Sequence, residues 1–373
     1  MSQNGDASSA KPKAGTGIAG LDHILDGGFP LHRQYLVEGA PGTGKTTLAL
    51  QFLLKGREQG ERSLYVTLSE TKDELCHVAE THGWSLDGID LYELEAAGKR
   101  FKPEEEYTVF RPEDAELNDT IQDVYRQVEK IKPSRVVFDS LSEMRLLARD
   151  PLRYRRHVLA LKQFFVGRQC TVLLLDDMTG TDRDLQLHSL SHGVISLERL
   201  DREYGPFRRQ LVVVKLRGAP FQEGYHDYII EKGGLSVFPR LVAAKHRGDH
   251  DRSGFQSGIA ELDGLLGGAL HHGTSTLIIG PAGAGKSTLA ALYLRAAAER
   301  GVHAAGYVFE ESPSTLLDRM AALGMDLRQH VSSGMVGIRQ IDPAELCPGQ
   351  FAHQLRKDVE EGGVSVVGLS SNT

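Results

Sequence analysis

Gly39-Ala-Pro-Gly-Thr-Gly-Lys-Thr46 is the stretch on which the fold of this 373-residue chain turns. It has the spacing Gly-x-x-x-x-Gly-Lys-Thr and follows a short apolar run, Tyr35–Glu38. Behind it, Thr46–Gly56 carries Leu48, Leu50, Phe52 and Leu53 at the apolar positions of a helix. A strand, a glycine loop and a helix in that order form a phosphate-binding loop. The glycines let the backbone turn its N–H groups toward phosphate oxygens, and the helix N-terminus adds a favourable dipole. Lys45 is placed to reach the β- and γ-phosphates of a nucleotide, and the Thr46 hydroxyl to ligate Mg²⁺. Gly39, Gly42, Thr43, Gly44, Lys45, Thr46 and Thr47 are therefore the expected cradle for ATP·Mg²⁺.

Working outward, strands are expected at Ser63–Leu68, Arg135–Phe138, Thr171–Leu175, Gly193–Leu197 and Gln210–Leu216. Helices are expected at Glu116–Ile131, closed by Lys132-Pro133, and at Pro151–Gly167, with Pro at its start. Strands alternating with helices give an α/β fold with a mostly parallel sheet. Asp139 ends the strand Arg135–Phe138. A carboxylate there, on a strand beside the P-loop strand, can position Mg²⁺ and its waters. Glu70, in Thr67-Leu-Ser-Glu-Thr71, can orient and deprotonate an attacking water. Asp176 and Asp177 end the Thr171–Leu175 strand, on the rim where open α/β sheets bind ligands. They serve either to sense the γ-phosphate indirectly or to cap the next turn. Lys215-Leu-Arg217-Gly218 closes a late strand: either a pair of cations for a γ-phosphate or a solvated hairpin tip.

The chain is also a repeat. Gly17-Ile-Ala-Gly-Leu-Asp22 and the P-loop recur as Gly258-Ile-Ala-Glu-Leu-Asp263 and Gly280-Pro-Ala-Gly-Ala-Gly-Lys-Ser287. Gly17 to Gly258 and Lys45 to Lys286 are both separated by 241 positions, as in a duplicated domain. Gly283, Ala284, Gly285, Lys286, Ser287 and Thr288 form a second expected cradle, with Ser287 as its metal-facing hydroxyl. The organisation follows: a disordered tail at 1–14, a complete domain at 15–241, a polar linker at 242–253, and a truncated second copy at 254–373. Copy two keeps Glu310-Glu311 after its strand. Its stretch Gly363–Thr373, where the Asp-bearing strand belongs, contains no Asp. Copy two is therefore expected to hydrolyse little or no ATP.

The formal net charge of −7 does not favour nucleic acid or an anionic membrane surface. The basic run Arg153-Tyr-Arg-Arg156-His157 fits a solvated helix face. Three cysteines without a C-x-x-C pair argue against a zinc ribbon or a disulfide framework and point to a reduced, cytoplasmic protein. The fifteen histidines show no metal spacing. No apolar run approaches the ~20 residues of a membrane span.

Taken together, these stretches resemble the KaiC-like ATPases of the RecA superfamily. The resemblance rests on Gly17–Asp22, the P-loop, Ser69-Glu70, Val136-Val-Phe-Asp139-Ser140, Lys215-Leu-Arg-Gly218 and Gly224-Tyr-His-Asp-Tyr-Ile-Ile230. It covers copy one and the first half of copy two. It implies a homo-hexameric ring with ATP between subunits, Glu70 as the catalytic carboxylate, and Lys215 and Arg217 acting on a neighbour's nucleotide. It also implies a protein partner that reads the ring's conformation. Tandem members of the family phosphorylate their own Ser/Thr residues, so a Ser/Thr autokinase is one alternative. A RecA/RadA-like recombination or repair ATPase is another, against which the acidic charge and the absent zinc ribbon count. The family's clock proteins carry two adjacent acids where this chain has Ser69-Glu70.

Overall fold

The structure, a computed structural model, describes residues 12–94, 113–148, 150–178, 185–201, 205–242 and 254–370. The chain divides into two compact units, the first carrying copy one to Arg240 and the second carrying copy two.

In unit 1 the elements run β1 (Lys13–Ala14), α1 (Ala19–Ile24), β2 (Phe29–Pro30), β3 (Gln34–Gly39), α2 (Lys45–Glu58), β4 (Ser63–Thr67), α3 (Lys72–Thr81), β5 (Ile89–Glu93), α4 (Glu113–Ile131), β6 (Arg135–Asp139), α5 (Leu141–Ala148), α6 (Pro151–Phe165), β7 (Thr171–Asp176), α7 (Leu185–Leu190), β8 (Gly193–Leu200), β9 (Arg208–Leu216), β10 (Tyr225–Glu231) and β11 (Gly234–Phe238). Nine strands form one sheet in the order β11-β10-β9-β8-β3-β7-β6-β4-β5. The six from β8 to β5 are parallel, and β9, β10 and β11 extend the sheet antiparallel. The central strands are buried along their whole length, as continuous apolar runs such as Val172–Leu175 require. One apolar cluster joins α1, α2 and α3 to one face of the sheet, and a second joins α4, α5 and α6 to the other. The result is a RecA-like α/β sandwich with a mostly parallel centre.

Local signals place the elements that carry the site. Thr71 caps α3 in a reciprocal capping box with Glu74. Asp150 accepts from Arg153 N at 2.9 Å, with Pro151 opening α6. Arg135 is wholly buried at the start of β6. Its guanidinium donates to Gly15 O (2.6 Å), Phe52 O (2.8 Å), Gln59 Oε1 (2.7 Å) and Glu61, and lies 4.6 Å above the Phe52 ring. Saturating its donors offsets the desolvation of that charge and fixes the strand whose other end is Asp139.

Two expectations need correction. Asp139's strand is not beside the P-loop strand, because β7 lies between β3 and β6. Asp139 still reaches the loop because all three parallel strands end on the same edge. Second, residues 13 and 14 are not tail. Lys13–Ala14 pairs with Phe29–Pro30, Ala14 is buried, and Lys13 Nζ donates to Leu25 O at 3.0 Å. The tail reading for residues 1–11 and the linker reading for 243–253 lie outside the described residues.

Unit 2 contains β12 (Gly254–Phe255), α8 (Ala260–Leu265), β13 (Leu270–His271), α9 (Lys286–Glu299), β14 (Ala304–Val308), α10 (Pro313–Ala322), α11 (Arg328–Ser332), β15 (Val336–Gln340), α12 (Pro348–Glu360) and β16 (Val366–Ser370). Its sheet is three parallel strands, β15-β14-β16, matching β5-β4-β6 of unit 1. Residues 274–280, which precede the second P-loop, form no strand, and Leu277 and Ile279 are 82% and 84% exposed. In unit 1 the equivalent strand β3 is held between β7 and β8; among the described residues of unit 2 neither neighbour has a counterpart. Among the described residues, no helix is long and apolar enough to cross a membrane.

Candidate active site

The P-loop of unit 1 leaves β3 at Gly39 and enters α2 at Lys45. A Cβ on Gly39 would sit 2.5 Å from Leu197 O, and Gly44 adopts φ +92°, a left-handed conformation open to glycine. Two features that the sequence did not single out buttress this loop. Tyr228 of β10, buried, donates its hydroxyl to Thr43 O at 2.7 Å. Gln51 of α2 accepts from Leu235 N at 2.8 Å, tying the β10–β11 hairpin to the P-loop helix. Hydroxyl-to-carbonyl contacts across 185 residues leave no local sequence signal.

Lys45 is buried, and its ammonium donates to Gly39 O (2.7 Å) and Ala40 O (3.2 Å) and pairs with Asp177 Oδ1 at 2.8 Å. Asp177 is itself oriented by Ser142, which donates its Oγ at 3.0 Å and accepts from Asp177 N at 3.2 Å. Burial acts to raise the Asp177 carboxyl, but the bond and charge of Lys45 and the hydroxyls of Ser142 and Ser140 outweigh it and hold it low. Its neighbour Asp176 points elsewhere, to Arg145 at 3.2 Å. The strand alternation thus splits the two acids: one faces the P-loop lysine and the other does not.

Asp139 accepts from the Tyr65 hydroxyl at 2.5 Å. Burial pushes its carboxyl up, and Asp177's charge adds to that against the Tyr65 bond, Lys45 and Thr46. Glu70 sits on the turn between β4 and α3. Its backbone is fixed by Thr67 Oγ1, which donates to Glu70 O (2.7 Å) and accepts from Glu70 N (3.0 Å). Glu70 Oε2 is buried without a hydrogen-bond partner. Its carboxyl is pushed up to about 7, by burial first and then by the charges of Asp139, Glu74 and Asp177, opposed by Lys45. Three carboxylates thus crowd one buried ammonium. The Thr46 hydroxyl and Asp139 are oxygen donors that fit a hard divalent cation, and the phosphate groups of a nucleotide fit the loop N–H groups and Lys45.

Lys215 and Arg217 do not join this constellation. Leu216 pairs with Gly193, which pairs with Tyr35, whereas the P-loop starts at Gly39 opposite Leu197. Four residues of strand separate the two levels, or about 13 Å. The Lys215 ammonium bonds His188 O and the Arg217 guanidinium bonds Ser189 O at 3.0 Å.

In unit 2 the second loop repeats the first. Gly285 adopts φ +86°, and Lys286 Nζ donates to Gly280 O (2.9 Å) and Pro281 O (3.1 Å). The acids differ. β4 and β14 keep the 241-residue offset, so Glu70 corresponds to Glu311 and Ser69 to Glu310. Thr67 pairs with Asp139 in unit 1, and Val308 with Ser370 in unit 2, so Ser370 stands at Asp139's register.

The sequence profile of the family described as "ATPase: KaiC" matches residues 14–242 and 255–361. The chain is 30% identical over 338 residues to a circadian clock oscillator protein KaiC of Parathermosynechococcus lividus, covering 88% of this chain and 61% of that protein. It is 31% identical over 249 residues to a UPF0273 protein of Methanopyrus kandleri, covering 64% of this chain and 97% of that one. A circadian clock protein KaiC2 of Synechocystis is 27% identical, with 57% of its length covered. The chain thus spans about three fifths of the clock protein of P. lividus. With its RecA-like sheet, its two P-loops and a family match over both copies, the chain belongs to the KaiC-like ATPases of the RecA superfamily.

Proposed function

We propose that unit 1 hydrolyses ATP at the interface between subunits of a homo-hexameric ring and signals to a protein partner through the ring's conformation. The observation that carries the hydrolytic part is the meeting of Lys45, Asp139, Asp177 and Glu70 around the P-loop, with one oxygen of Glu70 buried and unbonded. The glycine loop and Lys45 bind the β- and γ-phosphates, and Lys45 leaves Asp177 to do so. Thr46 and Asp139 would hold Mg²⁺, which would supply positive charge to offset that of the phosphate oxygens. Glu70 accepts the proton of the attacking water; a carboxyl near neutrality suits that work at physiological pH. Lys215 and Arg217, out of reach of their own chain's loop, serve a neighbouring subunit's nucleotide, which a heterologous, ring-closing contact permits.

Subunit mixing tests the arrangement. Lys45→Ala and Arg217→Ala chains are each expected to be nearly inactive. Mixed equally, about a quarter of interfaces join an intact loop to an intact arginine, so activity returns. No recovery, or a monomer by light scattering with ATP present, overturns the shared site.

A further inference from the structure

The two copies treat the same carboxylate differently. In unit 1, Glu70 has a buried oxygen without a hydrogen-bond partner. In unit 2, its counterpart Glu311 is held in a 2.7 Å ion pair with Arg319 Nη2, in the last turn of α10. The other arm of that guanidinium, Nη1, donates to Thr288 Oγ1 at 3.0 Å, and Thr288 is a residue of the second phosphate cradle. The pair is partly sheltered, Glu311 being 14% exposed and Arg319 36%. At the same 241-residue offset, unit 1 carries Val78 in place of Arg319, so nothing of the kind can form there. The second change is at Asp139's register, where Ser370 stands and its hydroxyl lies 2.6 Å from Ser287 Oγ. A neutral hydroxyl there offers a cation one oxygen and no charge.

We infer that unit 2 is a retention site: its P-loop holds a nucleoside triphosphate that it does not turn over, and Arg319 is the positioning residue that keeps Glu311 from the attacking water. This rests on reading both loops as ATP sites. The loop itself is intact, with Lys286 on the same two carbonyls as Lys45. What is withheld is chemistry. A base must point a free lone pair at water within hydrogen-bond reach, and a forked guanidinium that bonds Glu311 on one side and the cradle's hydroxyl on the other fixes that carboxylate elsewhere. Glu310, the added neighbour, is exposed.

The experiment uses the full chain with Lys45→Ala, which silences unit 1, and follows labelled ATP bound per chain and its conversion to ADP. The Lys45→Ala chain is expected to retain ATP as the triphosphate, and added Lys286→Ala to abolish that retention. Ser370→Asp alone is expected to gain little turnover. Ser370→Asp with Arg319→Ala is expected to gain at least about a hundredfold over it, the low end of what a general base supplies. Arg319→Lys, which still pairs with Glu311, should stay silent, and Glu311→Gln should erase the gain. A purely structural arginine would not yield activity on removal. Equal turnover with and without Arg319→Ala beside Ser370→Asp overturns the inference, as does Lys286-dependent hydrolysis by Lys45→Ala alone, or no ATP bound by that chain. If the unaltered chain also binds no ATP, the reading of the loops has failed rather than this one.

Discussion

Asp177→Asn should tighten ATP binding, although it removes an acid from an ATPase site. The Lys45 ammonium spends its third donor on Asp177 Oδ1 at 2.8 Å, and a triphosphate must displace that carboxylate. Lys45 is 6% exposed and Asp177 28%, so the pair is largely but not wholly desolvated. A hydrogen bond to a charged group contributes about 1.5–3 kcal/mol; discounting for Asp177's exposure leaves about 1–2 kcal/mol. Asparagine keeps the backbone bond from Asp177 N to Ser142 and an oxygen for the Ser142 hydroxyl, so the change removes chiefly charge. Destabilising the free state by that amount strengthens ATP binding by about 5–30-fold. Calorimetric titration with ATP·Mg²⁺ in a Lys286→Ala background isolates the first site. Unchanged or weaker binding would refute the latch and place Asp177 among the groups that hold the bound cation instead.

Further expectations follow from the same geometry. With Glu70 raised to about 7, kcat/KM should climb as pH rises through about 7 and Glu70→Gln should remove that limb. The stability sign is opposite. A carboxyl raised in the folded state favours folding while protonated, so its contribution is full below the ordinary 4.5 and is lost as pH rises toward about 7. Glu70→Gln should therefore melt higher than the unaltered chain at pH 8 and about level with it at pH 4, read by thermal denaturation without nucleotide. Tyr228→Phe leaves Thr43 O without its 2.7 Å donor and should weaken ATP binding and stability by about 1–2 kcal/mol, measured by titration and urea unfolding. Arg135→Met strips the donors that bind Gly15, Phe52, Gln59 and Glu61, and should cost about 3–5 kcal/mol in urea while leaving the loop's residues in place.

Much of this was legible in the sequence, for identifiable reasons. The P-loop strand and helix announced themselves because a glycine loop between an apolar run and a helix has few other uses. The helix Pro151–Gly167 and the strand Thr171–Leu175 matched within two residues, because Asp150-Pro151 and a continuous apolar run are local signals. Lys72–Thr81 and the Tyr225–Phe238 hairpin were not assigned, though the Thr71/Glu74 capping box was present to be found. Strand order is not a local property: nothing in Arg135–Asp139 tells that Thr171–Asp176 will insert between it and Gln34–Gly39. The same holds within the site. The sequence put Asp176 and Asp177 side by side, and only the pleat decides that Asp177 meets Lys45 while Asp176 meets Arg145. Lys215 and Arg217 were flagged by type, but their distance from the P-loop emerges from the register of β8 on β9.

The central claim is that Glu70 activates water for hydrolysis at the first P-loop. Glu70→Gln in the full chain, measured for both ATP bound and phosphate released, tests it most directly. The expected result is nucleotide bound at undiminished stoichiometry with turnover lowered by about 10²–10⁴-fold. Turnover within a factor of about two of the unaltered chain would contradict it, since a general base cannot be removed at so little cost.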